Sequence, residues 1–176
     1  SDVTEYEIIP TPSRAPAALT SCKLGSRLYA VGPHGSVYKR GFGAWAEENV
    51  GADVNLIAAQ CDGNLAMALD DAASLWVRFG TSWSRVQTGF LGTPKALAWS
   101  FGTSEAWVAG TGGQVAHCTG FQSLAQTHCT IEAVGYNDTI NALHADATSG
   151  QVMAVTDSGK ALARGGAHGW LQVNDI

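Results

Sequence analysis

The sequence predicts an all-β, β-propeller-like fold of four blade repeats, each with four antiparallel strands, and a surplus strand near the N-terminus. Three observations support this class. The 176 residues include 21 glycines and six tryptophans. The 3.6-residue apolar period of an amphipathic helix is missing from the sequence. Aromatic residues recur every 38 to 49 residues, which matches the length of a propeller blade. These markers are Tyr6, Trp45, Trp83, Phe121 and Trp170.

Each repeat consists of an inner strand, a hairpin and an outer strand that carries the aromatic marker. The inner strands are short apolar runs rich in alanine, which suits strands that crowd around a central axis. In the clearest hairpin, Leu28–Val31 is followed by a turn at residues 32–35 with two glycines, and then by Val37 and Tyr38. Such a turn is typical of a β-hairpin. Because a four-stranded sheet of this size cannot bury both faces alone, we expect the blades to stack face to face.

The repeats are placed at residues 17–54, 55–94, 95–138 and 139–176, after an N-terminal segment at 1–16. Within that segment, Tyr6–Ile9 has the aromatic and aliphatic signature of an outer strand, although the last repeat already has one at Trp170–Val173. Three alternatives remain open. Tyr6–Ile9 pairs elsewhere in its own chain, it donates a strand to another chain, or the chain forms part of a larger ring.

Charge and composition exclude some classes of partner. The formal net charge is −5, which is the wrong sign for neutralising phosphates, so nucleic acid is not an expected partner. No run approaches the roughly 18 apolar residues of a membrane-spanning helix. The first residues lack the basic and apolar regions of a signal peptide. An even number of cysteines, four in all, nevertheless favours a secreted or extracytoplasmic protein.

The cysteines are predicted to form disulfides rather than a metal site. Cys118 and Cys129 lie eleven residues apart and each follows a histidine, so a zinc site is an alternative. Adjacent side chains on a strand point to opposite faces, which makes it difficult for both members of a His-Cys pair to reach one ion. We therefore expect a Cys118–Cys129 disulfide and no metal. Cys22 and Cys61 lie at corresponding ends of two inner strands, and either a bond between blades or two buried thiols fits the sequence.

Catalytic motifs are missing from the sequence. It contains no GxSxG motif, no paired-carboxylate signature and no phosphate-binding loop. The turn Asp157-Ser158-Gly159 lacks the Thr-Trp that completes the Asp box of sialidase-type propellers. We therefore predict that the protein is not an enzyme and needs no cofactor.

Three tryptophans lie away from the repeated outer-strand position and are candidates for ligand contact. An aromatic face can stack on the apolar face of a sugar while neighbouring polar groups bind its hydroxyls. Trp76 lies in a hairpin close to Arg78, and Trp99 belongs to an inner strand where other repeats have small residues. With Trp107, these residues form the predicted ligand-binding set.

Part of the sequence resembles the tectonin repeat of propeller lectins. The segment Leu56–Ala68, followed by Leu75–Val86, has an apolar strand, Asp-Gly, a second apolar strand, an aromatic-x-Arg unit and Trp-x-x-Val. Leu28–Arg40 with Trp45 is similar. The resemblance covers about half of the chain. Tectonin-like and tachylectin-like proteins are non-enzymatic binders of sugars or surface patterns, which the resemblance implies for this chain.

Two functional hypotheses follow. The first is a lectin-like recognition module whose partner is a carbohydrate or a patterned surface. The alternative is an assembly subunit that completes a propeller with another protein chain by strand exchange, in which case a homo-oligomer is one possible product.

Overall fold

Four antiparallel sheets, each of four strands, make up the part of the chain that the structure describes. The computed structural model describes residues 16–22, 27–40, 45–62, 65–147, 149–165 and 169–173. Within each sheet the strands follow one another in sequence order from the inner edge to the outer edge. The predicted fold class, a propeller-like array of four blades, is confirmed. The predicted strand at Tyr6–Ile9 lies outside the described residues.

The strands are numbered in chain order. Blade 1 contains β1 (Ala18–Ser21), β2 (Leu28–Val31), β3 (Ser36–Arg40) and β4 (Trp45–Asn49). Blade 2 contains β5 (Leu56–Cys61), β6 (Ala66–Asp70), β7 (Ser74–Phe79) and β8 (Ser82–Gln87). Blade 3 contains β9 (Pro94–Ser100), β10 (Glu105–Gly110), β11 (Gln114–Thr119) and β12 (His128–Ala133). Blade 4 contains β13 (Ile140–Ala145), β14 (Val152–Thr156), β15 (Ala161–Arg164) and β16 (Trp170–Gln172).

The outer strand of blade 3 lies further along the chain than its aromatic marker suggested. Phe121 belongs to the connection before a short 3-10 turn at Leu124–Gln126, and the outer strand is β12. The prediction that Phe121 marks this strand is therefore wrong. The strand pairing sets Cys129 opposite Cys118, so a cysteine stands where the other blades have an aromatic residue. Those residues are Trp45, Trp83 and Trp170.

The core consists of three apolar clusters, one between each pair of consecutive blades. Between blades 1 and 2, for example, Val31 and Val37 pack in the same cluster as Leu56. Each cluster combines the face that one blade turns toward the next, its front face, with the rear face of the following blade. Burial of these faces is the main stabilising contribution that stacked sheets can gain.

In every blade, a residue one or two positions before the third strand has a backbone in the left-handed region. Gly35, Gly113 and Gly159 occupy this position in three blades, and Ala73 occupies it in blade 2 with φ of 63°. At Gly113 the turn packs so closely on the following connection that a Cβ would overlap the carbonyl oxygen of Tyr136. Glycine is therefore required there both by its backbone angle and by the lack of space.

Both cysteine pairs are disulfides, one between two blades and the other within one blade. Cys22–Cys61 joins the ends of the inner strands of blades 1 and 2. Cys118–Cys129 joins the third and fourth strands within blade 3. The expected Cys118–Cys129 bond is thus confirmed, and the open question about Cys22 and Cys61 is resolved as a bond between blades. Stable disulfides are typical of proteins in oxidising compartments.

Among the described residues, no helix has the length and apolar character needed to cross a membrane.

Candidate interaction surface

The contact between blades 1 and 2 contains a glutamate that binds two side chains of the next blade. Glu48 on β4 accepts hydrogen bonds from Arg78 Nε and Nη2 at 2.9 and 3.0 Å. It also accepts one from Trp83 Nε1 at 3.2 Å. Arg78 and Trp83 are opposite each other on β7 and β8, so one carboxylate satisfies a cross-strand pair. A bidentate, partly buried arrangement of this kind is among the stronger charge-assisted contacts.

The contact between blades 3 and 4 repeats this arrangement. Glu132 on β12 accepts hydrogen bonds from Arg164 Nε at 2.9 Å and Nη2 at 2.7 Å, and from Trp170 Nε1 at 3.0 Å. The ring of His117 lies beside this carboxylate, with its Nδ1 3.2 Å from Glu132 Oε1 and its Nε2 3.4 Å from Glu105 Oε1. The same chemistry therefore links the first to the second blade and the third to the fourth.

These contacts lower the pKa of both glutamates. Burial by itself would raise the pKa of Glu48, but the hydrogen bonds and positive charge of Arg78, with the Trp83 N–H, outweigh burial and lower it. For Glu132, burial is opposed in the same way by Arg164, Trp170 and His117, and the pKa is again lowered. Both carboxylates are therefore held in the charged form that their partners require.

The contact between blades 2 and 3 has a different chemistry. Val86 on β8 occupies the position that Glu48 and Glu132 occupy in their blades, because each of the three pairs with the second residue of the third strand of its blade. The opposing pair in blade 3 is the Cys118–Cys129 disulfide, which belongs to the same apolar cluster as Val86. Val86, which has no hydrogen-bond acceptor in its side chain, thus faces a disulfide, which has no strong donor.

We name two sets of equivalent positions. The front outer position is the fourth-strand residue that faces the next blade, namely Glu48, Val86, Glu132 and Val173. The rear pair is the cross-strand pair that faces the preceding blade, namely Arg40–Trp45, Arg78–Trp83, Cys118–Cys129 and Arg164–Trp170. Val173 is assigned by its backbone hydrogen bond to Ala161.

Among the described residues, none of the core clusters covers the front face of blade 4, which is called the open face below. Met153, Val155 and Leu171 point toward this side and are 44, 49 and 52% exposed. They pair across the sheet with Ala163 and Ala161, so the face is apolar along two rows of side chains on the three outer strands of the blade. The residues equivalent to Met153 and Val155 in the other blades are all buried, namely Tyr29, Met67 and Trp107, and Val31, Leu69 and Ala109. The open face therefore has the composition of a contact between blades.

The four predicted ligand-binding residues do not form one site. Trp76 packs in the cluster between blades 1 and 2, and Arg78 binds Glu48. Trp99 lies at the edge of the cluster between blades 2 and 3, edge-on to Phe121 at 5.2 Å between ring centroids. Trp107 is fully buried between blades 3 and 4. Ligand contact by these residues stays a prediction, since packing is the role that their contacts describe.

Two of these tryptophans have specific polar or aromatic neighbours. The indole N–H of Trp76 donates to Asp70 Oδ2 at 2.9 Å. The other carboxylate oxygen of Asp70 accepts the backbone N–H groups of Ala72 and Ser74, so this buried aspartate is well satisfied. Trp107 stacks on His117 with the ring planes 3° apart. A ligand would have to displace His117 to reach the Trp107 ring from that side.

A separate polar cavity lies between the hairpin turn of blade 1 and the connection to blade 2. Its volume is about 410 Å³, and it is lined by His34, Asn49, Gly51, Ala52 and Asp53. His34 Nδ1 is 2.6 Å from Asp53 Oδ1, and both side chains are exposed. The cavity therefore lacks a buried polar group that would orient a ligand. No group of three or more side chains suited to a metal ion occurs in the described ranges.

Sequence reasoning missed the open face of blade 4, although a signal was present. In β14 both alternating rows are apolar, since Met153 and Val155 alternate with Val152 and Ala154. A strand at the end of an array would be expected to alternate apolar and polar residues. Glu48 and Glu132, which bind side chains of the next blade, were missed as well. Glu48 was visible in the sequence as the one residue that replaced an aliphatic side chain three positions after an aromatic marker.

Comparison with known proteins supports the fold. No family profile matches the sequence, and no curated protein matches it. The WD40 repeats of RRP9 match 94% of this chain and 53% of that chain, with a TM-score of 0.71 and 14% identity. The Pan2 WD40 domain of Neurospora crassa matches 88% of this chain and 49% of that one, with a TM-score of 0.66 and 14% identity. YCF48 bound to D1 peptide matches 96% of this chain and 57% of that one, with a TM-score of 0.66 and 12% identity.

The comparison establishes a β-propeller architecture. The tectonin type of blade, which part of the sequence resembles, is not what these matches identify. The chain spans about half the length of the solved chains that it matches.

Proposed function

We propose that this chain is a non-catalytic interaction module that assembles with at least one further propeller blade on the front face of blade 4. The exposure of Met153 and Val155, at positions that the other three blades bury, carries the proposal, and the exposed Leu171 lies beside them on the same face. Exposed apolar patches of this kind mark sites of protein association. The peptide bound to one structural neighbour, YCF48, is in keeping with a protein partner.

The proposed contact differs from strand exchange. Each described blade already has four strands, so none of them needs a strand from another chain. The partner that fits is a complete sheet stacked on blade 4, in the way that blades 2, 3 and 4 stack on the blade before them. Two disulfides support placing this module in a secreted or extracytoplasmic setting.

Carbohydrate binding stays a prediction from the sequence. A lectin that gains avidity from repeated sites needs similar groups in several blades. The residues equivalent to Trp76 in blades 1, 3 and 4 are Tyr38, Ala116 and Leu162. This position is therefore not repeated as an aromatic sugar platform.

The test adds a fifth blade and measures whether it covers the open face. Residues 88–133, which comprise blade 3 and the connection before it, are fused after residue 174. The chain has two methionines, and Met153 is exposed whereas Met67 is buried, so peroxide oxidation followed by mass spectrometry reports on the face directly. We expect Met153 to be oxidised about tenfold more slowly in the five-blade chain, because oxidation follows exposure.

Two variants control this experiment. Val155→Lys places a charge on the open face and should abolish the protection of Met153. Leu91→Lys changes an exposed leucine that lies in the connection between blades 2 and 3 and should leave the protection intact. If Met153 is oxidised equally fast in the four-blade and five-blade chains, although the added blade has formed its disulfide, the proposed contact does not exist.

A further inference from the structure

We call each contact between consecutive blades a joint. The three joints among the four described blades follow one rule. A glutamate at the front outer position faces an Arg–Trp rear pair, as Glu48 and Glu132 do. A valine at that position faces a rear pair without strong donors, as Val86 faces the Cys118–Cys129 disulfide. The rule has a physical basis, since an arginine and an indole N–H buried against valine would lose their acceptor.

Blade 4 ends in a joint of the second kind. Its front outer residue is Val173, which is equivalent to Val86. The resemblance to blade 2 extends to the second strand, where Met153 and Val155 correspond to Met67 and Leu69. In blade 2 this face is buried against Leu97, Val108 and Cys118 of blade 3.

We infer that the partner of blade 4 is a propeller blade whose rear pair is apolar or disulfide-bonded, and not an Arg–Trp pair. This inference rests on the proposed function and specifies its partner. The partner has a rear face like that of blade 3, with apolar inner strands and no guanidinium that needs a carboxylate.

A second copy of the chain joined head to tail does not satisfy the rule. In such a ring Val173 would face the Arg40–Trp45 rear pair of blade 1. Trp45 Nε1 is buried without a hydrogen-bond partner among the described residues, and valine offers it no acceptor.

The experiment compares two added blades on two versions of the full chain. One addition is residues 88–133, with the Cys118–Cys129 pair. The other is residues 50–87, with the Arg78–Trp83 pair and its unpaired Cys61 changed to serine. Each is fused after residue 174 of the wild-type chain and of a Val173→Glu variant, and the oxidation rate of Met153 is measured in all four proteins.

The expected result is a crossed pattern. The blade with the disulfide pair should slow Met153 oxidation about tenfold on the wild-type chain and much less on Val173→Glu, because oxidation follows exposure. The blade with the Arg–Trp pair should show the reverse. Equal protection by both blades, or protection unaffected by Val173→Glu, overturns the inference but leaves the proposed contact standing. Lack of protection in all four proteins refutes both.

Discussion

At the scale of single residues, two glutamates decide how neighbouring blades are joined. Glu48 and Glu132 each satisfy an arginine and a tryptophan of the next blade through one carboxylate. Their side chains are about one-fifth exposed, so solvent screens the contacts only in part. Removing one partner of such a pair is costly because the other partner stays in place without its acceptor.

Replacement of Glu48 by glutamine should therefore destabilise the protein. We expect a loss of about 2 kcal/mol in the free energy of unfolding, the range for a charge-assisted hydrogen-bond pair that is broken on one side. The matched control is Glu47→Gln, which removes the exposed carboxylate next to Glu48 on the same strand. Urea denaturation of the three proteins measures the difference. A Glu48→Gln protein as stable as the control would show that the contact contributes little.

Acid should weaken the same joints. Both glutamates have a pKa below the usual range in the folded state, so the unfolded chain binds their protons more readily. Their contribution to stability is complete above the usual glutamate pKa and is lost as the pH falls from there through the lowered folded-state pKa.

The midpoint of urea denaturation, followed from pH 7 to pH 3, measures this loss. We expect a smaller decrease in a Glu48→Gln, Glu132→Gln double variant than in the wild type, because the variant has lost both groups. The same pH dependence in both proteins would assign acid sensitivity to other carboxylates.

At the scale of elements, the hairpin turn fixes how each blade rests on the connection to the next. The N–H of Gly113 donates to the backbone carbonyl of Asp138, and the carbonyl of Gly113 accepts a hydrogen bond from the N–H of Val134. These bonds connect the turn of blade 3 to the start of blade 4. In blade 2, the hydroxyl of Thr88 donates to the Ala73 carbonyl at 2.6 Å. In blade 2, the Thr88 hydroxyl therefore donates to the carbonyl of Ala73 as the Val134 N–H donates to the carbonyl of Gly113 in blade 3.

Substitutions at these two turns should have opposite effects. Gly113→Ala should destabilise the protein by more than about 1 kcal/mol, because the new Cβ meets the Tyr136 carbonyl as well as an unfavourable backbone angle. Ala73→Gly should stabilise it by up to about 1 kcal/mol, since glycine adopts a positive φ without steric cost. Thermal unfolding of both variants tests the pair. Equal effects of the same sign would contradict the assigned turn geometry.

The sequence predicted these elements well where a repeated residue performs a repeated role. Trp83 and Trp170 mark outer strands because each fills the same space and donates to the same kind of carboxylate. The third outer strand was misplaced because Cys129 takes that position and Phe121 happened to lie at the expected spacing. The open face was not predictable from the spacing of the aromatic markers, because that spacing identifies strands and does not show which sheet lacks a neighbour. The signal that was overlooked is local, since both faces of β14 are apolar.

At the scale of the whole molecule, four complete blades form a series with unlike ends. The front of blade 4 is an apolar face with Val173 at its outer position, and the rear pair of blade 1 is Arg40–Trp45. By the rule that governs the internal joints, these ends do not match each other. The series is therefore not expected to close on a second copy of itself.

Solution mass tests this expectation and the strand-exchange hypothesis together. Light scattering of the full chain and of a variant without residues 1–12 should give the mass of one chain in both cases, since the four sheets hold four strands each without that segment. A full-length dimer that dissociates on truncation would instead establish exchange of the Tyr6–Ile9 strand. A dimer that survives truncation would contradict the mismatch between the two ends.

The alternation of the two joints restricts how such a gene could lengthen by duplication. Duplication of blade 2, 3 or 4 alone creates a mismatch, since blade 3 followed by itself would set Glu132 against a disulfide and blade 4 followed by itself would set Val173 against Arg164. Blade 1, with Glu48 at its front and an Arg–Trp pair at its rear, could be repeated alone. A duplicated unit of blades 3 and 4 keeps every joint matched, because Val173 then meets a Cys118–Cys129 pair and Glu132 again meets Arg164. For the three later blades, inheritance in twos rather than one at a time is the evolutionary consequence of where the carboxylates lie.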